Sequence, residues 1–533
     1  MISTLHRGKV PFIAVVALAG LVAACSGGGG AGGSAASGKG GALTVGWSSP
    51  PDTLNPATTG ARSVGPLTAA MFETLVYLTP DLKPTPGLAT KWSESSDGKS
   101  YTFDLRKGVT FHDGTPFNAA AVVENFRYIT DKNTQSTIAI GLLGTCTQAK
   151  AVSDLQVKVV CSAPYAPLLV QLGEPYLGIQ SPTAINKYGK DLGQHPVGTG
   201  PFEFVSYTPN QSLVLKKNAT YNWAPKAVGQ QGPAKLDSLQ FDFIPNNQSR
   251  VGALQSNQAQ VIQATPGVFY KQFANKYTLE PNPISGMGIF APINAGQWPT
   301  NDPAVRKAIT YALDRSALVN AAGAGVFPPN ETPVSKGMLG YDASLQGQQP
   351  HDPAKAKAAL EAGGWAQQGD GWYKDGKKLS VKITAISTSS TYPAIAQAMQ
   401  ANLAEVGMAA SVVPLGASAW TDANVKGDFN MTPLTYVAAD PDALSFWFSP
   451  GSFFNWSHYS SGSLTSLLTQ GRTETDEAKR QAIYVKAQQL ILDASVLYPI
   501  YENQDLLAAS KKVTGLSYSG GGFESFYKVS VSS

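Results

Sequence analysis

The chain has 533 residues, 43% of them hydrophobic and 10% aromatic, with 40 Lys and Arg against 36 Asp and Glu, a net charge of +4. Such near-neutrality excludes the basic footprint of a nucleic-acid binder and gives no reason to expect a strongly charged substrate. The length and apolar content suffice for large cores in more than one domain. In chain order, the first element is a basic head at Arg7 and Lys9, followed by fifteen uncharged residues from Val10 to Ala24 that close on the small pair Ala23-Ala24. This is the layout of a secretory signal, expected over 1–24. The run is shorter than the roughly 20 apolar residues of a spanning helix, and no later segment reads as one.

Leu21-Val22-Ala23-Ala24-Cys25 resembles the bacterial lipobox, which implies that Cys25 takes a diacylglycerol and becomes the first residue of a mature chain of net charge +2. The alternative is an ordinary signal with an incidental cysteine. Two or more acyl chains anchor stably where one does not, so a lipidated Cys25 would hold the chain on a membrane. Residues 25–41, nearly all Gly, Ser and Ala after the cysteine, read as a flexible tether. Within it "GSAASGKG" (33–40) approaches a phosphate-binding loop, but Gly40 replaces the required Ser or Thr and no strand precedes it.

Beyond the tether, alternation predicts strands at Leu43-Val45-Trp47, Tyr101-Phe103-Leu105, Leu213-Leu215 and Leu379-Val381-Ile383. Between Cys146 and Cys161, "TQAKAVSDLQVKVV" reads as a hairpin turning at Ser153-Asp154, which sets the two cysteines opposite one another. Opposed strand positions are close enough for a disulfide, and export would favour one. The other reading is two buried thiols. Helices are expected after the caps Asp302-Pro303 and Asp352-Pro353, the latter stopping at Gly363. The apolar stripes Val305, Ile309, Ala312, Leu313, then Ile395, Met399, Leu403, Val406, and Ile483, Ala487, Leu490, Ile491 read as core faces. Strands interleaved with helices throughout predict an α/β protein of several domains, without internal repeats.

Catalytic motifs are absent from this pattern. The five histidines, His6, His112, His195, His351 and His458, show no HExxH and no metal-ligand spacing, and no GxSxG occurs. His112 in "FHDGTPF" precedes the cap Asn118 and is expected to close its turn, with ligand contact as the alternative. In "HPVGTGPFEF" after His195, Gly198 and Gly200 would allow backbone conformations that other residues resist. No metal or cofactor is expected.

Five ordered segments, "LRKGVTFHDGTPFNAAAVVENF" (105–126), "HPVGTGPFEFVSYTPNQSLVLKKNATYNW" (195–223), "DPAVRKAITYALDRSALV" (302–319), "DPAKAKAALEAGGW" (352–365) and "NWSHYSSGSLTSLL" (455–468), closely resemble the family 5 extracytoplasmic solute-binding proteins that serve ABC importers. The resemblance covers almost the whole mature chain. It implies an α/β fold of two lobes around a cleft, of the periplasmic-binding-protein type, with a subdomain inserted in the first lobe. Carried onto this sequence, lobe I is 42–72, 198–290 and 500–533, the insertion 73–197 and lobe II 291–499, with the hinge near Ala291 and Tyr498 to Tyr501. It also implies a monomer at the outer face of a bacterial cell membrane. Its partners would be a peptide or other small polar ligand and an ABC permease with its ATPase.

Peptide-binding members often carry a lobe II stretch resembling W-x-x-D-x-P-D, whose first Asp pairs with the ligand's amino group. Aligned on Pro441-Asp442, "YVAADPDALSFWF" (436–448) puts Tyr436 for the Trp and Ala439 for that Asp, with Asp440 one residue late. Either Asp440 reaches an amine through a local shift, or the ligand has no amine there; a loop or cap role for Asp440 stays open, and Asp442 reads as a helix cap. The resemblance places Trp47, Ser48 and Ser49 on the lobe I side of the ligand, and Trp420, Tyr436, Trp447 and Asn455 on the lobe II side. The departure at Ala439 admits other cargoes, namely a glycoside, an opine-like compound or a metal chelate. A surface-anchored hydrolase or a sensory binder are the competing classes.

Overall fold

The computed structural model describes residues 41–389 and 391–532. The signal over 1–24, Cys25 and the tether to residue 40 lie outside the described residues. Among the described residues no helix is long and apolar enough to cross a membrane.

Strand Ala42–Trp47 sits near the middle of a seven-stranded sheet, ordered Thr278–Pro283, Gln504–Ala509, Val261–Ile262, Ala42–Trp47, Ser238–Phe243, Ser212–Lys217, Phe202–Thr208. It runs parallel to both of its neighbours. Leu43, Val45 and Trp47 are buried, and Trp47 meets Phe241 edge-on at 5.5 Å. A four-stranded sheet, Ala89–Glu94, Ser100–Leu105, Gln156–Val160 and Gln148–Ser153, shares one continuous apolar cluster with it.

Cys146 and Cys161 are joined by a disulfide at the open end of the last hairpin. The hairpin turns one residue later than expected, with Ser153 paired to Gln156 across Asp154-Leu155. An irregularity between Ala151 and Ser153 shifts the register by one, leaving Gln148 opposite Val160. Beyond the ladder Ser162 N donates to Thr145 O at 2.9 Å, a further slip of one that brings the cysteines together.

The chain leaves the large sheet at Pro283 and enters a three-stranded one at Gly286, where Gly286–Pro292 lies between Leu434–Val437 and Leu497–Tyr501. It returns between Tyr501 and Gln504. The connectors are therefore Ile284-Ser285 and Glu502-Asn503. Ala291, expected at the crossing, lies inside the second sheet because its strand is apolar on both faces and buried throughout. Two further clusters form the second lobe's core.

Helices Pro303–Ala312 and Pro353–Ala362 start from the caps Asp302 and Asp352 as the sequence indicates. In Glu477–Asp493 the buried face is rotated from the expected one. Arg480, Tyr484, Ala487, Gln488 and Ile491 point inward while Ile483 and Leu490 are only half-buried. The polar members find partners: Gln488 Nε2 donates to Gly340 O at 2.6 Å, although its Oε1 is left buried without a donor, and Arg480 finds a carboxylate described below.

His112 does not close its own turn, which Phe111 closes instead: Phe111 N donates to Thr115 O at 2.8 Å and Gly114 N donates to Phe111 O at 2.9 Å. His112 pins that turn to a remote segment. Its amide donates to Gly198 O at 2.9 Å and its Nε2 lies 3.0 Å from Gly200 O. Gly198 and Gly200 are needed for close approach and not for a left-handed backbone, since a Cβ on Gly198 would stand 2.2 Å from Met71 O and one on Gly200 2.6 Å from Met71 C. Gly198→Ala is expected to lower unfolding free energy by about 1–3 kcal/mol through overpacking. Gly462→Ala, on an open helix position, should cost nothing. Urea midpoints of the two variants check this.

Candidate functional site

The second lobe gathers an aromatic cluster from four separate elements. Tyr436 comes from strand Leu434–Val437, Trp447 from helix Ala443–Phe448, Trp420 from helix Ala417–Lys426, and Phe454 and Trp456 from the loop that follows Phe448. Trp456 joins them, packing edge-on against Trp420 at 5.0 Å and Trp447 at 5.4 Å, while Tyr436 meets Trp447 at 5.7 Å and Phe454 at 5.8 Å. Such pairs add about 0.5–1.5 kcal/mol each beyond area burial, so the cluster is rigid. Burial pushes the Tyr436 phenol up to about 12. Trp420 donates to Thr432 Oγ1 at 2.9 Å, whereas the buried Trp447 indole N–H has no acceptor. Asn455 lies beside the cluster but is turned into its own loop, donating to Tyr459 O at 3.0 Å.

On the first lobe, Trp47 is core and not wall: it is fully buried and its indole donates to Ser63 O at 3.0 Å. Ser48 and Ser49, just past the strand end, are half-buried. The Ser48 hydroxyl donates to Gln263 Oε1, and Gln263 Nε2 donates to Asp505, whose other oxygen accepts from Ala264 N at 3.0 Å. Next to this relay, Arg62 donates to Gly521 O and Gly522 O at 2.8 and 2.6 Å and stacks on Phe523. Burial pushes Glu174 up to about 7 and, with Asp505 adding repulsion, Glu524 up to about 8.

Asp440 is placed differently from its expected role. It is 1% exposed, with both oxygens taken by Arg480 at 2.6 and 2.8 Å, and Oδ1 also accepts from Asp442 N. Its charge is thereby compensated within the protein, and Asp440 is a structural ion-pair partner in this geometry. Ala439, at the amine-pairing position, is also buried. Asp442 opens helix Ala443–Phe448 but its side chain does not bond the helix amides. It accepts instead from Ser445 Oγ and Arg472 Nε.

The Asp440–Arg480 pair borders a cavity of 340 Å³ between the lobes, with Leu82, Tyr101 and Leu169 on one side and Met338 and Gln481 on the other. The lobes touch at its edge, where Ala166 N donates to Arg472 O at 2.9 Å, and again where Lys271 Nζ reaches Ala324 O. Arg472 and Arg480 are not legible as site residues in the sequence. The one signal is a charged residue at a buried position of an otherwise ordinary helix. His195 stacks on Tyr188 at 4.2 Å, away from these walls. Among the described residues no group of three His, Cys, Asp or Glu comes together as metal ligands.

Residues 83–457 match the family profile described as bacterial extracellular solute-binding proteins, family 5 Middle. The glutathione-binding protein GsiB of Shigella dysenteriae serotype 1 is 30% identical over 488 residues, which cover 87% of this chain and 89% of GsiB. Among solved structures, NikA from Brucella suis in complex with Fe(III)-EDTA superposes with a TM-score of 0.82 at 24% identity, covering 92% of this chain and 100% of NikA. The periplasmic binding protein DppA from Helicobacter pylori in complex with the peptide STSA gives 0.76 at 24%, covering 93% and 98%.

Proposed function

Because the chain belongs to the family 5 bacterial extracellular solute-binding proteins, we propose that it captures a peptide-like solute between its lobes and passes it, chemically unchanged, to the permease of an ABC importer. The observation that carries this reading is the family match over residues 83–457 on a chain whose two lobes are joined by two short strand connectors, with half-buried aromatic side chains (Trp420, Tyr436) on one lobe and the half-buried Ser48 hydroxyl on the other. Shape held by rings and direction given by a few polar groups suit a small polar guest. A guest touching both lobes biases the hinge toward the closed form, and closure is what a permease can read.

In this proposal 42–72, 198–283 and 504–532 form lobe I, 73–197 its insertion and 286–501 lobe II. The signal ends before Cys25, whose lipid holds the monomer at the outer face of the membrane on the 25–41 tether, close to its transporter. GsiB supports a glutathione-like cargo.

Thermal-shift titration of the purified mature chain with reduced glutathione, dipeptides and an opine tests the reading. A bound guest should raise the melting temperature progressively, equivalent to about 2.7 kcal/mol at a hundred times its dissociation constant. Mass spectrometry should recover it unaltered. A guest returned hydrolysed would point to the enzyme class instead, and a shift with the opine alone would change the cargo but keep the mechanism.

A further inference from the structure

Strand Ala42–Trp47 runs parallel to Ser238–Phe243 and Val261–Ile262, so Ser48, Ile244 and Gln263 follow the carboxyl ends of three parallel strands. That edge is where open α/β sheets take ligands. Trp47 ties residues 62–64 to it by donating to Ser63 O at 3.0 Å. Tyr176 packs edge-on at 6.3 Å against Phe523, the ring on which Arg62 stacks. From the second lobe, the half-buried Tyr436 comes within electrostatic reach of Tyr176, as Arg62 does from the first. Arg62 thus sits on the first lobe's wall where the lobes face each other.

Its guanidinium is held rigidly without being saturated. Nη2 is spent on Gly521 O and Gly522 O at 2.8 and 2.6 Å, Phe523 lies 4.5 Å below, and Nε is buried without an acceptor. Nη1 differs: it has no acceptor in the protein and it is not buried. Among the described residues no carboxylate forms an ion pair with Arg62. Of the nearby acids, Asp52 is spent in its own loop, accepting from Thr59 Oγ1 at 2.7 Å and Gly60 N at 2.9 Å. Burial lifts Glu174 to about 7 and Glu524 to about 8, so at about pH 6 both are mainly protonated and leave the guanidinium charge uncompensated. The pocket beneath the Gly521-Gly522 turn adds the cation of Lys336 and the carboxyl of Glu502, which burial also lifts to about 7. A pinned cation with one exposed, unpaired nitrogen is preorganised for an anionic oxygen, and guanidinium suits a carboxylate. We infer that Arg62 is the carboxylate anchor of the cleft, donating through Nη1 to a carboxylate oxygen of the solute while Nη2 and Phe523 hold the guanidinium in place. That this solute is a peptide rests on the peptide-like reading; the anion site itself does not.

Thermal-shift titrations of the mature chain at about pH 6 compare reduced glutathione with its diethyl ester, and sodium formate with sodium chloride at equal ionic strength. The ester should need at least tenfold more ligand than the acid for the same shift, the loss expected for one charge-assisted hydrogen bond. In Arg62→Gln the acid should weaken and the ester should not, bringing the ratio toward one; Arg62→Lys should fall between. Urea midpoints establish that the variants are folded, and Arg62→Lys carries the comparison if Arg62→Gln is not. Equal binding of acid and ester by the wild type, or a ratio unchanged in the variants, would overturn the anchor. Formate that stabilises the wild type beyond chloride but not Arg62→Gln, with no response to glutathione, would keep the anchor and remove the peptide-like cargo. Formate behaving as chloride, again with no response to glutathione, would overturn both.

Discussion

Asp440→Ala is expected to lower the unfolding free energy by about 3–5 kcal/mol, the range for removing one partner of a buried ion pair. Arg480 would be left 6% exposed on its side chain with no carboxylate in bidentate reach, beside the cavity between the lobes. The cost comes from the stranded charge more than from the lost attraction. Adding Arg480→Met should therefore recover part of the loss, and a double-mutant cycle in urea should show a coupling of about 0.5–3 kcal/mol. Had Asp440 been free to meet a ligand amine, the alanine variant would keep its stability and lose only affinity. Equal urea midpoints with loss of amine-bearing ligands would restore that role.

Acidification from pH 8 to pH 5.5 should stabilise the fold. Glu174 and Glu524 are 6% and 2% exposed, and burial lifts their carboxyls to about 7 and about 8 from the ordinary 4.5. Glu73 is lifted to about 7 for the same reason, opposed by the Tyr221 hydroxyl. Between the unfolded and folded values the native state holds protons that the unfolded chain releases, so stability falls as pH rises. The benefit is complete below about 4.5 and is lost through 7 to 8. Each tenfold gain in a carboxyl's proton affinity on folding corresponds to about 1.4 kcal/mol, and Arg62 partly offsets the charge of both groups, so the change should be on the order of 2–4 kcal/mol. Within this window His112 opposes the trend, because burial keeps its imidazole neutral where the unfolded chain takes up a proton, but it is one group against several carboxyls. The depressed aspartates, such as Asp302 beside Lys374, act only at lower pH. Urea midpoints at the two pH values measure the change, and Glu174→Gln with Glu524→Gln should reduce it, the remainder coming from Glu73 and from Glu502, which burial also lifts to about 7. A higher midpoint at pH 8 would refute it.

The elements that the sequence makes legible are those whose causes are local. Caps such as Asp302 and Asp352, and stripes such as Ile395, Met399, Leu403 and Val406, carry their geometry in a few adjacent residues. The connectors are less legible. Gly286–Pro292 is apolar on both faces, so periodicity cannot say which sheet it joins, and an expected crossing at Ala291 falls too far along the chain. Trp420, Tyr436 and Trp447 come together through Trp456, but Trp447 is 2% exposed and belongs to the core like Trp47, so only Trp420 and Tyr436 of the three keep accessible surface. Trp47 takes the core and not the wall because strand position says which face a residue takes, and nothing about how deep that face lies. Asp440 departs from its expected role because its partner, Arg480, is remote in sequence and belongs to a helix whose apolar stripe suggests another face.

The order of the large sheet has a consequence for biosynthesis. Its strand Gln504–Ala509 lies between Thr278–Pro283 and Val261–Ile262, and is made by the ribosome only after everything else in that sheet. A nascent chain that ends just short of Gln504 still has a gap one strand in from the edge of its largest sheet, with Thr278–Pro283 cut off from Val261–Ile262 and unpaired edges on both sides. Final locking of that sheet waits for release of the C-terminus. A stop codon placed shortly before Gln504 would remove only a short tail of the polypeptide and leave the first lobe with no way to close its ladder.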